Sequence, residues 1–174
     1  MSKFPIDLSH IRAVLFDVDG VLSRVTVNLG SDGTPIRTSN VRDGYAIQEA
    51  GKRGLVVGII SGGTCPSIPK RMSNLGVKHI YMQCSNKLDA LEDFVSKSGI
   101  PYEACLFCGD DIPDIPVMKK CGFSVAPADA APEVKAVAGQ ILPIIGGEGV
   151  ARGIIEEILK MKGEWMKDEQ SFGW

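Results

Sequence analysis

The chain has 174 residues, 44% hydrophobic and 23% charged, which fits one globular domain with a sizeable core and excludes a disordered protein. Nineteen Lys and Arg against 21 Asp and Glu give a formal charge of −2, so no basic field exists to hold nucleic acid or an anionic membrane surface. No apolar run approaches the roughly 18 residues of a membrane span, and Met1 to Asp7 lack the apolar core of a signal peptide. A cytoplasmic protein is expected.

In chain order, Ala13-Val14-Leu15-Phe16 is an unbroken apolar run, as expected of a strand buried on both faces in a parallel sheet. Asp17-Val18-Asp19-Gly20 follows at its carboxyl end. Side chains alternate along an extended chain, so Asp17 and Asp19 point the same way, and Gly20 permits a sharp turn beneath them. Residues 24–39 are predicted to form a β-hairpin: Val25, Val27 and Leu29 alternate, Gly30-Ser31-Asp32-Gly33 carries turn chemistry, and Ile36 to Ser39 returns. A helix is expected over 43–52, a second buried strand over 55–60 ending in Ser61-Gly62-Gly63, a helix over 66–75 closed by Gly76, and a short strand over 79–82. Ser85 or Asn86 can cap a helix that runs to about Lys97 and closes at Gly99.

A fourth strand over 104–108 leads at once into Gly109-Asp110-Asp111-Ile112-Pro113-Asp114. A helix over 115–120, a strand over 123–126, a helix over 132–138, an edge strand over 141–145 and a last helix over 149–161 complete the pattern, and a tail follows over 163–174. Strands alternating with helices throughout predict a single α/β domain over 1–174, a doubly wound, Rossmann-like parallel sheet with a hairpin inserted after the first strand and no cap domain. The five cysteines, an odd number, suit free thiols in a reducing compartment. Cys105-Leu106-Phe107-Cys108 matches C-x-x-C, but within a strand that odd separation sends the two thiols to opposite faces, against a metal or redox pair.

Four polar clusters fall at strand ends or a helix start: Asp17 and Asp19, Ser61 and Gly62, Lys87, and Asp110, Asp111 and Asp114. Taken singly, each has an ordinary reading as a turn, a solvated lysine or a helix N-terminal acid. Parallel strands put all their carboxyl ends on one edge, so together they can share a crevice. Five carboxylates, one lysine and a hydroxyl loop bind phosphate poorly unless a hard divalent cation joins them, and Mg2+ fits that demand. Lys87 supplies further positive charge, and Ser61 with the Gly62 amide can hydrogen-bond phosphate oxygens.

These residues resemble the haloacid dehalogenase superfamily of phosphotransferases: Asp17-Val18-Asp19-Gly20-Val21 its first motif, Ile60-Ser61-Gly62 its second, Lys87 its third, and Gly109-Asp110-Asp111-x-x-Asp114 its fourth. The resemblance implies that Asp17 is the nucleophile that forms an aspartyl-phosphate and that Asp19 is the general acid and base. It further implies magnesium held by Asp17, the Asp19 carbonyl and Asp110, with Asp111 and Asp114 in support. Asn40-Val41-Arg42-Asp43-Gly44-Tyr45, Gly76-Val77 and Gly146-Gly147-x-Gly149, with the short hairpin, are similar to the 3-deoxy-D-manno-octulosonate 8-phosphate phosphatases in particular. That implies hydrolysis of an acidic sugar phosphate, a homotetramer with packed hairpins, and active sites completed by a neighbour. At position 63 this chain has Gly where such relatives usually carry a charged residue, often Arg.

The nonulosonate 9-phosphate phosphatases are an alternative within the same fold, and a non-catalytic oligomerisation or regulatory domain is another. A receiver domain also uses aspartates, magnesium, a hydroxyl and a lysine, but there the hydroxyl and lysine follow the phosphoacceptor in a different strand order. Arg42, Lys70 and Arg71 are candidates for the substrate carboxylate, by their nearness in sequence to the second motif and the hairpin exit. The tail holds Trp165, Phe172 and Trp174, too few residues for a core of their own, and is expected to cover a surface, a neighbouring active site by the family resemblance.

Overall fold

The computed structural model describes residues 4–173. The first strand, β1 (Ala13–Phe16), leads through an irregular turn into a hairpin, β2 (Asn28–Leu29) and β3 (Pro35–Ile36), then α1 (Val41–Lys52). There follow β4 (Val56–Ile60), α2 (Ser67–Asn74), β5 (His79–Tyr81), α3 (Lys87–Ser98) and β6 (Cys105–Cys108). The chain closes with α4 (Ile115–Lys120), β7 (Phe123–Ala126), α5 (Pro132–Lys135), β8 (Gln140–Ile141) and α6 (Val150–Met161).

Six strands form one parallel sheet in the order β5-β4-β1-β6-β7-β8. β1 pairs on both sides, with β4 and β6, so the chain winds outward one way from β1 and then returns to wind the other way. That reversal is the topological switch point, where ligands bind in such sheets. The pleat distributes the core between two faces. Val14, Phe16, Val57, Ile59, Leu106 and Cys108 pack against α1, α2 and α6, whereas Ala13, Leu15, Ile60, Cys105 and Phe107 pack against α3, α4 and α5. Every residue of β1 and β6 is buried, which is why these strands show no polar alternation. Cys105 and Cys108 do lie on opposite faces, and the five cysteines are free.

Local signals fix most helix ends. Asn40 caps α1, its Oδ1 accepting from the Arg42 amide at 2.9 Å, and Asn86 caps α3, accepting from the Leu88 amide at 3.1 Å. Gly99 closes α3 in the left-handed region at φ 67°. Gly149 cannot cap α6 with a side chain; instead Asp43 of α1 accepts from the Arg152 amide at 2.7 Å, a carboxylate lent across to the positive end of α6.

Two expectations need correction. The hairpin pairs only two residues per strand, because no second layer covers it: Leu29 and Ile36 stay 68% and 56% exposed. The edge strand ends at Ile141 rather than 145; after the Leu142 amide donates to Ala126, Pro143 has no N–H to continue the ladder. The tail folds back on its own chain. Trp165 packs edge-on to Tyr45 and under the Arg152 guanidinium, Asp168 takes both ends of Arg53 at 2.7 and 2.8 Å, and Ser171 donates to buried Glu49 at 2.9 Å. Glu49 and Arg53 belong to the end of α1 remote from the carboxyl edge of the sheet, so the tail sits away from this chain's crevice. Trp174 lies outside the described residues.

Candidate active site

At the switch point, the carboxyl ends of β1, β4 and β6 and the first turn of α3 enclose a crevice of about 420 Å³, lined by Asp17, Asp19, Val25, Ser61, Gly62, Gly63, Cys84, Ser85, Lys87, Asp110, Asp111 and Pro113. A larger cavity, about 680 Å³, lies between α1, β4 and α2. No acid lines it, so volume alone does not mark the site.

The turn after β1 brings the acids into place. Asp17 ends the strand, Asp19 is extended at φ −70° and ψ 131°, and Gly20 turns back at φ 73°. Glycine is required at position 20 on two counts: the left-handed backbone, and the Asp110 carboxylate, which occupies the space a Cβ would fill. Gly146 and Gly147 support this turn from beneath, and the Gly147 amide donates to the Val21 carbonyl at 2.8 Å.

Lys87 stands at the centre of the charges. Its Nζ lies 2.8 Å from Asp17 Oδ2 and donates to Asp114 Oδ1 at 2.6 Å. The other Asp114 oxygen accepts from the amides of Asp110 and Asp111 at 2.9 and 3.3 Å, so Asp114 is fully committed to holding this loop and the lysine. Asp17 Oδ1 accepts from the Val18 amide at 2.6 Å. Asp110 differs: it is 8% exposed, and among the described residues no donor reaches its carboxylate. Burial first, then the charges of Asp17, Asp114 and Asp111, push its pKa up to about 8. Burial and Asp114 likewise lift Asp17 to about 6, outweighing Lys87. Burial works against the Lys87 ammonium, but Asp17 and Asp114 more than offset it and raise its pKa.

Carboxylate oxygens of Asp17, Asp110 and Asp114 all lie within 4.8 Å of one another, with one lysine among three acids. Such a group either keeps protons or takes a cation. Hard oxygen donors and an orphaned buried carboxylate fit a small divalent cation such as Mg2+. Asp114 spends its oxygens on Lys87 and two backbone amides and does not line the crevice, so Asp17 and Asp110, which do line it, are the carboxylates open to the cation.

Ser61, buried at the end of β4, accepts from the Gly63 amide at 3.1 Å, which shapes the loop, while Gly62 opens to the crevice. Asp111 lines the crevice wall and caps the turn 112–114 through the Ile112 amide at 2.8 Å. Arg42, Lys70 and Arg71 are not among the lining residues. Arg42 and Lys70 are exposed, and Arg71, a turn down α2 from the crevice edge, lays its guanidinium against Gly44 of α1. Arg37 was missed by sequence reasoning: it leaves the hairpin to grip Asp19 with Nε on Oδ1 at 2.7 Å and Nη2 on Oδ2 at 2.8 Å. The pairing depends on how the hairpin folds over the loop; only the missing side chain at position 63 hints at it.

A model of haloacid dehalogenase-like hydrolases matches residues 76–154. The 3-deoxy-D-manno-octulosonate 8-phosphate phosphatase of Escherichia coli strain K12 is 39% identical over 155 residues, 89% of this chain and 82% of that protein. Among solved structures, the phosphatase of the same name from Moraxella catarrhalis, in complex with magnesium, phosphate and KDO, superposes with a TM-score of 0.84 at 32% identity, covering 89% of each chain. The cobalt-bound deoxy-D-mannose-octulosonate 8-phosphate phosphatase of Haemophilus influenzae gives a TM-score of 0.89 at 31% identity, over 96% of this chain and 99% of that one. Sequence and fold thus agree with the acid cluster: this chain belongs to the 3-deoxy-D-manno-octulosonate 8-phosphate phosphatase family of the haloacid dehalogenase-like hydrolases.

Proposed function

We propose that this chain hydrolyses 3-deoxy-D-manno-octulosonate 8-phosphate to the free acid sugar and inorganic phosphate in a Mg2+-dependent reaction. The observation that carries the reading is the buried Asp17–Lys87–Asp114 group beside the orphaned Asp110, in a chain 39% identical to a phosphatase of that name.

Asp17 is the nucleophile. One of its oxygens attacks phosphorus, the bond from phosphorus to the sugar oxygen breaks, and Asp19 gives the departing alkoxide its proton. Water then attacks the aspartyl-phosphate and loses a proton to Asp19, and the phosphorus–Asp17 bond breaks to restore the carboxylate. Lys87 holds a phosphate oxygen from the side of Asp17, and Ser61 with the Gly62 amide holds the others. Asp114 fixes Lys87 and the loop of Asp110 and Asp111. Asp17, the Asp19 carbonyl and Asp110 would hold the magnesium, which supplies positive charge to an anionic substrate among acids.

The protein acts as a single domain in the cytoplasm; no helix among the described residues is long and apolar enough to cross a membrane. A homotetramer built on the hairpins is consistent with the exposed Val25, Leu29, Ile36 and Val41. Phosphate release from a panel of eight- and nine-carbon 2-keto acid phosphates tests the assignment. The eight-carbon ester should show the highest kcat/KM; preference for a nine-carbon ester would move the chain to the nonulosonate phosphatases.

A further inference from the structure

The Asp19–Arg37 pair is a fork whose two partners are unequally exposed. The Asp19 side chain keeps 38% of its surface open, whereas Arg37 behind it keeps 5%. Nε and Nη2 take one carboxylate oxygen each, at 2.7 and 2.8 Å, and Nη1 donates to the Thr64 carbonyl at 2.9 Å. A planar guanidinium bound through both oxygens fixes the plane of a carboxylate as well as its position, which an ammonium cannot do. One side chain thereby joins the hairpin, the turn that carries Asp19 and the loop that carries Ser61.

The seat for this guanidinium is made by Gly63. A Cβ there would stand 2.6 Å from Nη2 of Arg37 and 3.1 Å from Oδ2 of Asp19. Gly63 is not among the glycines with positive φ, so what position 63 provides is the absence of a side chain rather than backbone freedom. Even a methyl group at that position would force the guanidinium to shift from its seat on the acid.

We propose that Arg37, seated in the space left by Gly63, is a positioning residue that sets the plane of the Asp19 carboxylate for proton transfer at the leaving oxygen. The inference rests on the reading of Asp19 as the proton donor and acceptor of the reaction. Arg37 itself stays behind the acid and carries no proton. If it acts through Asp19, its loss matters where the leaving group needs a proton and matters little where it does not.

The test compares 3-deoxy-D-manno-octulosonate 8-phosphate, which leaves as an alkoxide, with p-nitrophenyl phosphate, which leaves as a stable phenolate. Arg37→Ala, Arg37→Lys, Gly63→Ala, the double variant Arg37→Ala/Gly63→Ala and Asp19→Asn are measured with Mg2+ present. Arg37→Ala should lower kcat on the sugar phosphate by roughly tenfold or more, with KM changed less than about threefold, while the first-turnover burst of nitrophenolate stays within about threefold. Arg37→Lys should restore only part of the loss, since it returns the charge without the fork. Gly63→Ala should follow the same pattern, and adding it to Arg37→Ala should cost less than about twofold more, because both act through one contact. Equal losses on both substrates, or a raised KM with unchanged kcat, would overturn the positioning role. Asp19→Asn separates the two levels: if it too fails to distinguish the substrates, the proton-transfer reading of Asp19 falls and the inference with it. If Asp19→Asn distinguishes them and the Arg37 and Gly63 variants do not, only the positioning role falls.

Discussion

Asp110 is the carboxylate whose charge burial and its neighbours oppose, and replacing it by Asn should make the metal-free protein more stable while abolishing its response to Mg2+. Its pKa rises from 3.8 to about 8 through burial and three neighbouring carboxylates. At about 1.4 kcal/mol per pKa unit, holding Asp110 ionised at pH 8 costs the fold several kcal/mol. Solvent in the crevice screens part of this, and about 2 kcal/mol is a reasonable net figure. A raised folded pKa in an acid gives stability that is complete below the unfolded value and is lost as pH rises through the folded one. Wild-type protein in chelator should therefore lose stability from about pH 4 to pH 8. The Asp110→Asn variant keeps the shape and drops the charge, so in chelator at pH 8 it should melt roughly 4–8 °C above wild type. That advantage should shrink as pH falls. Added Mg2+ should raise the wild-type melting temperature and leave the variant's unchanged, and the metal's effect should weaken as pH falls below about 8, where it must displace a proton from Asp110, and further below about 6, where Asp17 is protonated as well. Differential scanning fluorimetry across pH with chelator or Mg2+ measures all of this. A variant less stable than wild type in chelator at pH 8, or still stabilised by Mg2+, would refute the charge argument.

Asp17→Asn and Asp19→Asn should each lower kcat by several orders of magnitude with the fold intact by circular dichroism; near wild-type turnover in either would sink the mechanism. Chelation should abolish phosphate release, and Mg2+ should restore it; activity in excess chelator would remove the metal from the reaction. Lys87→Met should lower kcat/KM and also raise repulsion between Asp17 and Asp114, so in chelator its melting temperature should fall more steeply with rising pH than that of wild type; a pH dependence equal to that of wild type would show that Lys87 does not hold the pair. Truncation after Lys162 removes the Trp165 packing and leaves buried Glu49 without its Ser171 donor, so the melting temperature should drop; an unchanged melt would mean that the tail docks elsewhere in solution.

Much of the fold was legible because the relevant signals are local. Four-residue apolar runs ending in acids mark β1 and β6, Asn40 and Asn86 mark helix starts, and Gly99 marks a helix end. α5 and β8 are shorter than their sequence pattern predicts, since Ala136 to Ile145 carry ordinary propensities and their conformation is decided by where β7 leaves room for an edge strand. Nearness in sequence to the second motif and the hairpin exit singles out Arg42, Lys70 and Arg71, but it does not fix where a side chain lies relative to this chain's crevice, which none of the three lines.

By itself, the sequence determined the order of the strands and helices, the residue types at the strand ends and the chemistry they share, because strand burial and the acid motifs are written in consecutive residues. Only the tertiary structure shows which donors each of those acids takes. Lys87 and the amides of Asp110 and Asp111 saturate Asp114 and leave Asp110 bare, although all are polar groups at a strand end or a helix start in the sequence. The same holds for Arg37, which reaches Asp19 across 18 positions because a hairpin folds back over a loop, and for the tail, which closes on Glu49 and Arg53 of its own chain. Such contacts depend on distances between elements, and no periodicity in a chain encodes a distance.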